Sequence, residues 1–303
     1  MEFTVSKSDL VRELSLSQGV VEKKTTIPIL SNVLLEAEGG RLTITATDLE
    51  LGIRCNCPAQ VVKPGSGTIP ARRLLDYVRL LPDADVSVKF QENHWAQFVC
   101  GRSRTRIAGM SRESYPELPA MPQVVAELRA GLLASMIGKT IFAISAEESR
   151  FSLNGSLLLL KPDSVTMVAT DGHRLSMVAK PETVEGLVSS YRALLPRKAM
   201  GEILKLTAES GGDTVVRFSG DENHLFFEFG DRLLMIADPK LIKLVMKGDE
   251  IIGFCFAFPD ISAAIQRTKG RIWPFGWFHL WREFKRTKWV NLNGLGLLPE
   301  HQG

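Results

Sequence analysis

The stretch VATDGHRLSMVAK, residues 168–180, sets a threonine, an aspartate, a histidine and an arginine within five positions between two apolar runs. Asp171 and His173 stand two residues apart, so on a strand they share a face, and a carboxylate beside an imidazole is a pair that can orient a general base. A base of that kind needs a nucleophile, and no Gly-x-Ser-x-Gly elbow is present. PGSGT at 64–68 has the glycines of a phosphate loop but lacks its lysine and helix start. Cys55 and Cys57 alternate on one face of a strand, a packing pattern. With Cys100 and Cys255 they have neither the number nor the spacing of a disulfide framework or a metal site. The expectation is therefore no catalytic residue, no metal and no cofactor.

The same stretch has a twin. Thr47-Asp48 in TATDLELGI recurs as Thr170-Asp171, 123 positions on, and Asn32 recurs as Asn154. TIPARRLL around Pro70 recurs as LLPRKAMGEIL around Pro196, each with proline just ahead of a helix, where the first N–H groups lack partners anyway. Upstream, 6–23 and 127–145 both space apolar residues at three and four, as helices do. RLTITATDLEL alternates like a strand with one wet face, and EGGR before it is a turn signal. The final strands are DVSVKF and HWAQFVCGRSRTRIAGM in the first copy, TVVRFSG and HLFFEFGDRLLMI in the second. Each copy thus reads as an antiparallel α+β unit of two helices laid on a sheet, with a proline-rich linker at 113–126.

Bulk properties narrow the partners. Of 303 residues, 45% are hydrophobic and 23% charged, and the formal net charge is +3, ordinary values for a globular protein. The charge is uneven: residues 234–303 hold ten Lys/Arg against six Asp/Glu. Any basic surface in the first 233 residues is therefore local. The N-terminus has no signal-peptide core and no stretch reaches the length of a membrane span, so the expected location is the cytoplasm.

IPILSNVLLEA, TATDLEL, IPARRLLD, GRSRTRI…SYPELP, SRFSLNG, VATDGHRLS and LLPRKAMGEIL, in this order across residues 1–233, resemble the bacterial sliding clamp family, the β subunit of DNA polymerase III. The resemblance implies tandem clamp domains, one over 1–120 and a second over 127–234. In the family three such domains per chain form a head-to-tail homodimer around duplex DNA, with helices lining the hole. It implies a non-catalytic processivity factor whose partners are duplex DNA, the clamp loader, the replicative polymerase and other proteins with clamp-binding motifs. The helix segments carry Lys7, Arg12, Arg72, Arg73, Arg79, Arg129, Lys139, Arg197, Lys198 and Lys205, scattered cations suited to phosphate attraction without base readout. Of these the DNA contacts expected are Arg72, Arg73, Arg197 and Lys198, joined by Lys24 and Arg150 in DNA-facing loops. Leu153, Thr170, Gly172, His173, Arg174 and Leu175 match half of the family's peptide-binding pocket. Ile107, on the GRSRTRI strand, matches its dimer interface.

Past 234 the pattern changes. Residues 235–303 show no Thr-Asp turn and no proline-basic helix start, and they hold four of the five tryptophans, Trp273, Trp277, Trp281 and Trp289. The expectation is a partial α/β tail in place of a third clamp domain, with a half-built pocket, weakened peptide affinity and defective ring closure. KLVMKGDEIIGFCFAFPDI predicts two strands around Lys247-Gly248-Asp249, and WVNLNGLGLLPEHQG a strand running into a loop. The latter resembles the acyl-CoA-binding strand of GCN5-related acetyltransferases, without the second glycine and the helix start that cradle the pyrophosphate, so no acetyl transfer is expected. Two alternatives follow: an acetyltransferase remnant carried on the clamp repeats, or a peptide-binding module that acts without DNA. Pro274 and Gly276 interrupt the Trp-rich basic stretch, and no membrane partner is expected.

Overall fold

The computed structural model describes residues 1–21, 27–145, 153–221 and 223–237 with their side chains, and the backbone of three strands within 242–297. The chain divides into two compact units. The first is Met1–Ile144, Gly155–Thr170 and Arg174–Asp238; the second is Ser145–Asn154, Asp171–His173 and Pro239–Gly303.

The helices and strands of both copies lie in the first unit, and they share one element order. Copy one runs β1 (Glu2–Ser6), α1 (Lys7–Ser17), β2 (Asn32–Glu38), β3 (Arg41–Thr47), β4 (Leu51–Pro58), β5 (Gln60–Lys63) and β6 (Gly65–Pro70). It continues with α2 (Ala71–Arg79), β7 (Asp85–Phe90), β8 (Trp95–Cys100) and β9 (Ser103–Ala108). Copy two runs β10 (Ala126–Arg129), α3 (Ala130–Thr140), β11 (Gly155–Lys161), β12 (Ser164–Thr170), β13 (Leu175–Pro181) and β14 (Tyr191–Pro196). It ends with α4 (Arg197–Ser210), β15 (Val215–Gly220), β16 (His224–Phe229) and β17 (Arg232–Ala237). In place of β5 the second copy keeps one bridge, Glu127 to Glu185.

Local chemistry explains the boundaries. Ser6 caps α1 by accepting the Asp9 N–H at 3.1 Å. Pro70 and Pro196 stand directly before α2 and α4. Gly39 and Gly40 turn the β2–β3 hairpin with φ of +58° and +78°.

All strand pairs are antiparallel, but each copy divides its strands between two sheets rather than using one. β5-β1-β7-β8-β9 is a five-stranded sheet and β13-β12-β11-β14 a four-stranded one. The remaining strands of both copies join at β4 and β17 into an eight-stranded sheet, β10-β15-β16-β17-β4-β3-β2-β6. The helices pair α1 with α2 and α3 with α4, and α1 also meets α4. Their apolar faces, Leu10 and Leu14, Leu74 and Leu75, Leu133 and Ile137, Met200 and Ile203, pack with Ile44, Ile53, Phe98, Phe218 and Phe227 in one continuous core.

The strand RLTITAT departs from the alternation expected of it. Thr45 and Thr47 are buried as fully as Ile44 and Ala46. Tyr115, from the proline-rich linker, packs with Ile29, Leu30 and Leu34 and donates its hydroxyl to the Thr45 carbonyl at 3.0 Å, which fits a covered second face.

In the second unit, β18 (Ile242–Lys247), β19 (Glu250–Pro259) and β20 (Val290–Leu297) form an antiparallel sheet in that order, and Lys247 pairs with Glu250 across the expected hairpin. Trp273, Trp277, Trp281, Trp289 and the Pro-Glu-His-Gln-Gly end lie outside the described residues.

Candidate functional site

The helix cations differ in how strongly they are engaged. Arg72 is exposed and reaches only Asp76, one turn along α2, at 3.8 Å. Arg73 is exposed and makes no ion pair among the described residues. Arg79 touches the Ser15 hydroxyl at 3.3 Å, and Lys139 stands exposed in the last turn of α3. On α4, Arg197 donates to the Ile144 carbonyl at 3.3 Å, and Lys198 pairs with Asp48 of copy one. Lys205 pairs with Glu202 at 2.8 Å, and Lys7 donates to the Leu81 carbonyl. Arg129 is the last residue of β10 rather than a helix residue, and it grips Glu182 through two nitrogens at 2.8 and 3.0 Å. Lys24 and Arg150 lie outside the described residues. A phosphate reaches Arg72, Arg73 and Lys139 at little cost, but it has to displace a carboxylate to reach Lys198.

Arg12 belongs to another group. It binds Asp9 and Glu13, each at 2.8 Å. Glu13 is only 1% exposed and also receives a two-pronged pair from Arg232 of copy two, both contacts 2.8 Å. Arg232 reaches on to the Ser210 hydroxyl at 3.4 Å. Burial pushes the Glu13 carboxyl up, but the hydrogen bonds and charges of Arg232 and Arg12 outweigh it and hold the group below its ordinary 4.5. Cys55 lies against this pair, and burial drives its thiol upward; Cys57, two residues on, is pushed up to about 12 for the same reason. Both are inert packing thiols, as their alternation implied. Sequence reasoning missed the Glu13–Arg232 pair. Its signal was a carboxylate at the position between Leu10 and Leu14 that α1 buries.

The two Thr-Asp turns share two hydrogen bonds. Thr47 donates its hydroxyl to the Leu51 carbonyl at 2.8 Å, and Thr170 donates to the Arg174 carbonyl at 2.7 Å. Asp48 accepts the Glu50 N–H at 2.9 Å, and Asp171 accepts the His173 N–H at 2.9 Å. Each dipeptide therefore staples a strand-joining turn, β3 to β4 and β12 to β13. Asp171 receives the backbone of His173, and this is a turn rather than a catalytic dyad. What differs is the crest: Gly172 at φ +89°, then His173, Arg174 and Leu175, all exposed. Arg174 stacks over the Phe142 ring at 5.6 Å, and Phe142, Leu175 and Met177 are 53%, 49% and 61% exposed. Leu153 is buried, and its carbonyl accepts the Ser145 N–H at 2.9 Å. Ile107 on β9 is 8% exposed and packs into the core. Among the described residues no three His, Cys, Asp or Glu gather as metal ligands would, and no helix is long and apolar enough to cross a membrane.

Comparison with known proteins follows this division of the chain. Residues 1–119 match the DNA polymerase III beta subunit, N-terminal domain, and residues 127–241 match its central domain. The beta sliding clamp of Chlamydia muridarum is 35% identical over 268 residues, 88% of this chain and 68% of that one. The beta sliding clamp of Caulobacter vibrioides is 36% identical over 280 residues, 90% of this chain and 70% of that one. In three dimensions the DNA polymerase III subunit beta of Pseudomonas aeruginosa superposes with a TM-score of 0.74 at 29% identity, over 88% of this chain and 74% of that one. None of these similarities supports the acetyltransferase resemblance of residues 235–303, which is set aside. Two successive domain matches, in the order in which the repeat predicts two units, leave one conclusion: the chain belongs to the family of the DNA polymerase III beta subunit, the beta sliding clamps.

Proposed function

We propose that this chain acts as a DNA sliding clamp, a non-catalytic processivity factor, holding duplex DNA without sequence readout and docking partner peptides beside it. Clamp domain one is assigned to 1–120, domain two to 127–234 and a non-clamp segment to 235–303. The observation that carries the reading is the build of the two repeats. One antiparallel wall runs across both through β4 and β17, and four interlocked helices carry exposed cations at the proline-started ends of α2 and α4. Arg72, Arg73, Arg197 and Lys198 are assigned to phosphate contact, with Lys24 and Arg150 added on the resemblance alone. Arg72, Arg73, Arg197 and Lys198 stand in the first turns of α2 and α4, and scattered cations of this kind attract phosphate without base readout, which suits a protein that must slide.

The peptide wall is assigned to the turn bearing Thr170, Gly172, His173, Arg174 and Leu175, with Leu153. The exposed apolar side chains of Phe142, Leu175 and Met177 favour it, since large apolar groups grouped on a surface mark docking sites. The partners assigned are duplex DNA, the replicative polymerase and other proteins with clamp-binding peptides.

The test is duplex binding titrated against salt, for several unrelated sequences. The logarithmic slope should be the same for all sequences, and the double substitution Arg72→Ala, Arg73→Ala should make it shallower by about 0.9 for each phosphate no longer neutralised. Affinities that depend on sequence, or a slope indifferent to both arginines, would overturn the assignment.

A further inference from the structure

The starts of α2 and α4 are equivalent in the repeat, yet their cations meet different carboxylates. Arg72, two residues after Pro70, reaches Asp76 on its own helix at 3.8 Å. Lys198, two residues after Pro196, crosses from copy two to Asp48 in the Thr47-Asp48 turn of copy one. Resting on the duplex-holding function proposed above, we propose that Asp48 is a positioning residue for it. Asp48 competes with DNA phosphate for Lys198 and so limits the grip of α4 on the duplex.

The geometry gives the two partners unequal freedom. The Asp48 side chain is 2% exposed, against 41% for that of Lys198. Oδ1 of Asp48 accepts the Glu50 N–H at 2.9 Å and the Leu51 N–H at 2.6 Å. The Asp48 N–H donates to the Leu51 carbonyl at 3.1 Å. Thr47 ties the same turn again, accepting the Leu49 N–H at 3.0 Å and donating to the Leu51 carbonyl at 2.8 Å. Asp48 is therefore fixed, with Oδ2 left for the ammonium. Lys198 is the partner that moves, a compact charge with three donors on a flexible four-carbon stem. It can exchange one oxyanion for another, carboxylate for phosphate.

That exchange suits a protein that slides. A lysine without a second acceptor leaves each phosphate for water. Lys198 is instead received by a carboxylate already held in place, so the state between two phosphates is stabilised and each contact is released more readily. A cation already neutralised inside the protein also adds less to counterion release, and hence less to the salt dependence of binding. Arg73, which makes no ion pair among the described residues, supplies attraction without such a competitor.

Asp48→Asn is the decisive variant, because Asn keeps Oδ1 for the two N–H groups and replaces only the oxygen that faces Lys198. In the full chain it should tighten duplex binding about two- to fivefold and steepen the logarithmic salt slope by about 0.9, the equivalent of one more phosphate neutralised. On stretched duplex it should diffuse more slowly than the parent. Adding Lys198→Ala should cancel the gain, which a purely structural effect on the turn would not do. Asp76→Asn removes the same charge beside Arg72 and should leave the slope unchanged. An unchanged slope in Asp48→Asn, an equal change in Asp76→Asn, a gain that survives Lys198→Ala, or undiminished diffusion each overturns the proposal. If Asp48→Asn does not fold, Asp48→Ser reads the same slope, since its hydroxyl can still accept the Glu50 N–H. Without DNA, acylation of the Lys198 amine, followed by mass spectrometry, should be faster in the variant than in the parent, and equal rates count against the competition. A parent chain that binds no duplex, or binds it by sequence, defeats the clamp function and this proposal with it. A parent that binds all sequences alike while Asp48→Asn changes nothing defeats this proposal alone.

Discussion

Arg72 and Lys198 stand two residues after the prolines of equivalent helices, yet their surroundings give them different tasks. Arg72 has only an exposed carboxylate one turn away at 3.8 Å, a contact of negligible net strength. Lys198 meets Asp48, whose carboxylate is 2% exposed and already fixed by the N–H groups of Glu50 and Leu51. In a salt titration, Lys198→Ala should therefore shift the slope less than Arg73→Ala does, while lowering the melting temperature more. Equal slopes and an unchanged melt would show Lys198 to be free for phosphate. Glu13 supports a sharper prediction. Its folded pKa lies below the ordinary value, so the stability it contributes is complete above about pH 4.5 and is lost as pH falls through the folded value. Glu13→Gln should unfold more easily at neutral pH and show a flatter acid branch, and denaturant midpoints from pH 3 to 7 read both. Arg232→Ala leaves the buried Glu13 carboxylate with Arg12 as its remaining partner and should cost about 1–3 kcal/mol. At this scale the sequence showed which residues were cationic, but not which had partners, because Asp48 and Lys198 stand 150 positions apart and meet only on folding.

At the scale of elements, what was legible was whatever depends on short spacing. The proline-started helices, the turn at Gly39-Gly40 and the Thr-Asp staples all rest on contacts within a few residues, and the structure holds each of them. Less legible was the division of each copy into two sheets. Strand alternation gives the faces of a strand but not its neighbours, and β4 finds β17 far along the chain. One element boundary rests on a close approach rather than on a pattern. A side chain at Gly109, just past β9, would put its Cβ 1.9 Å from the Thr68 carbonyl oxygen and 2.9 Å from that of His94, both rigid backbone. Gly109→Ala must push β6 and the end of β9 apart and should cost about 1–3 kcal/mol. Gly101→Ala, at the open β8–β9 turn with no atom within 4 Å, serves as a comparison because only its φ of +57° is strained. If Gly109→Ala melts no lower than Gly101→Ala, the close approach is not what that glycine serves.

Across the whole described region, the junction between copies is built like an interior rather than like a contact between independent domains. Leu51 and Ile53 on β4 and Leu234 and Ile236 on β17 are essentially buried, a sheet runs unbroken through them, and the Glu13–Arg232 pair crosses the same boundary. Domains joined through modest polar interfaces move and melt separately, whereas a shared core couples them. The two copies should therefore unfold together. In hydrogen exchange against denaturant, amides of β3 in copy one and β16 in copy two should lose protection at one common midpoint. Leu234→Asp, which buries an unpaired charge beside Ile53, should split that transition in two, the second copy opening first because the substituted strand β17 belongs to it. Two midpoints already present in the parent chain would show that the eight-stranded sheet does not act as one cooperative element. A single midpoint surviving Leu234→Asp would place the coupling in the contact of α1 with α4 instead, where Gly19, just past α1, lies so close to Glu202 of α4 that a Cβ would come within 2.3 Å of its carboxylate.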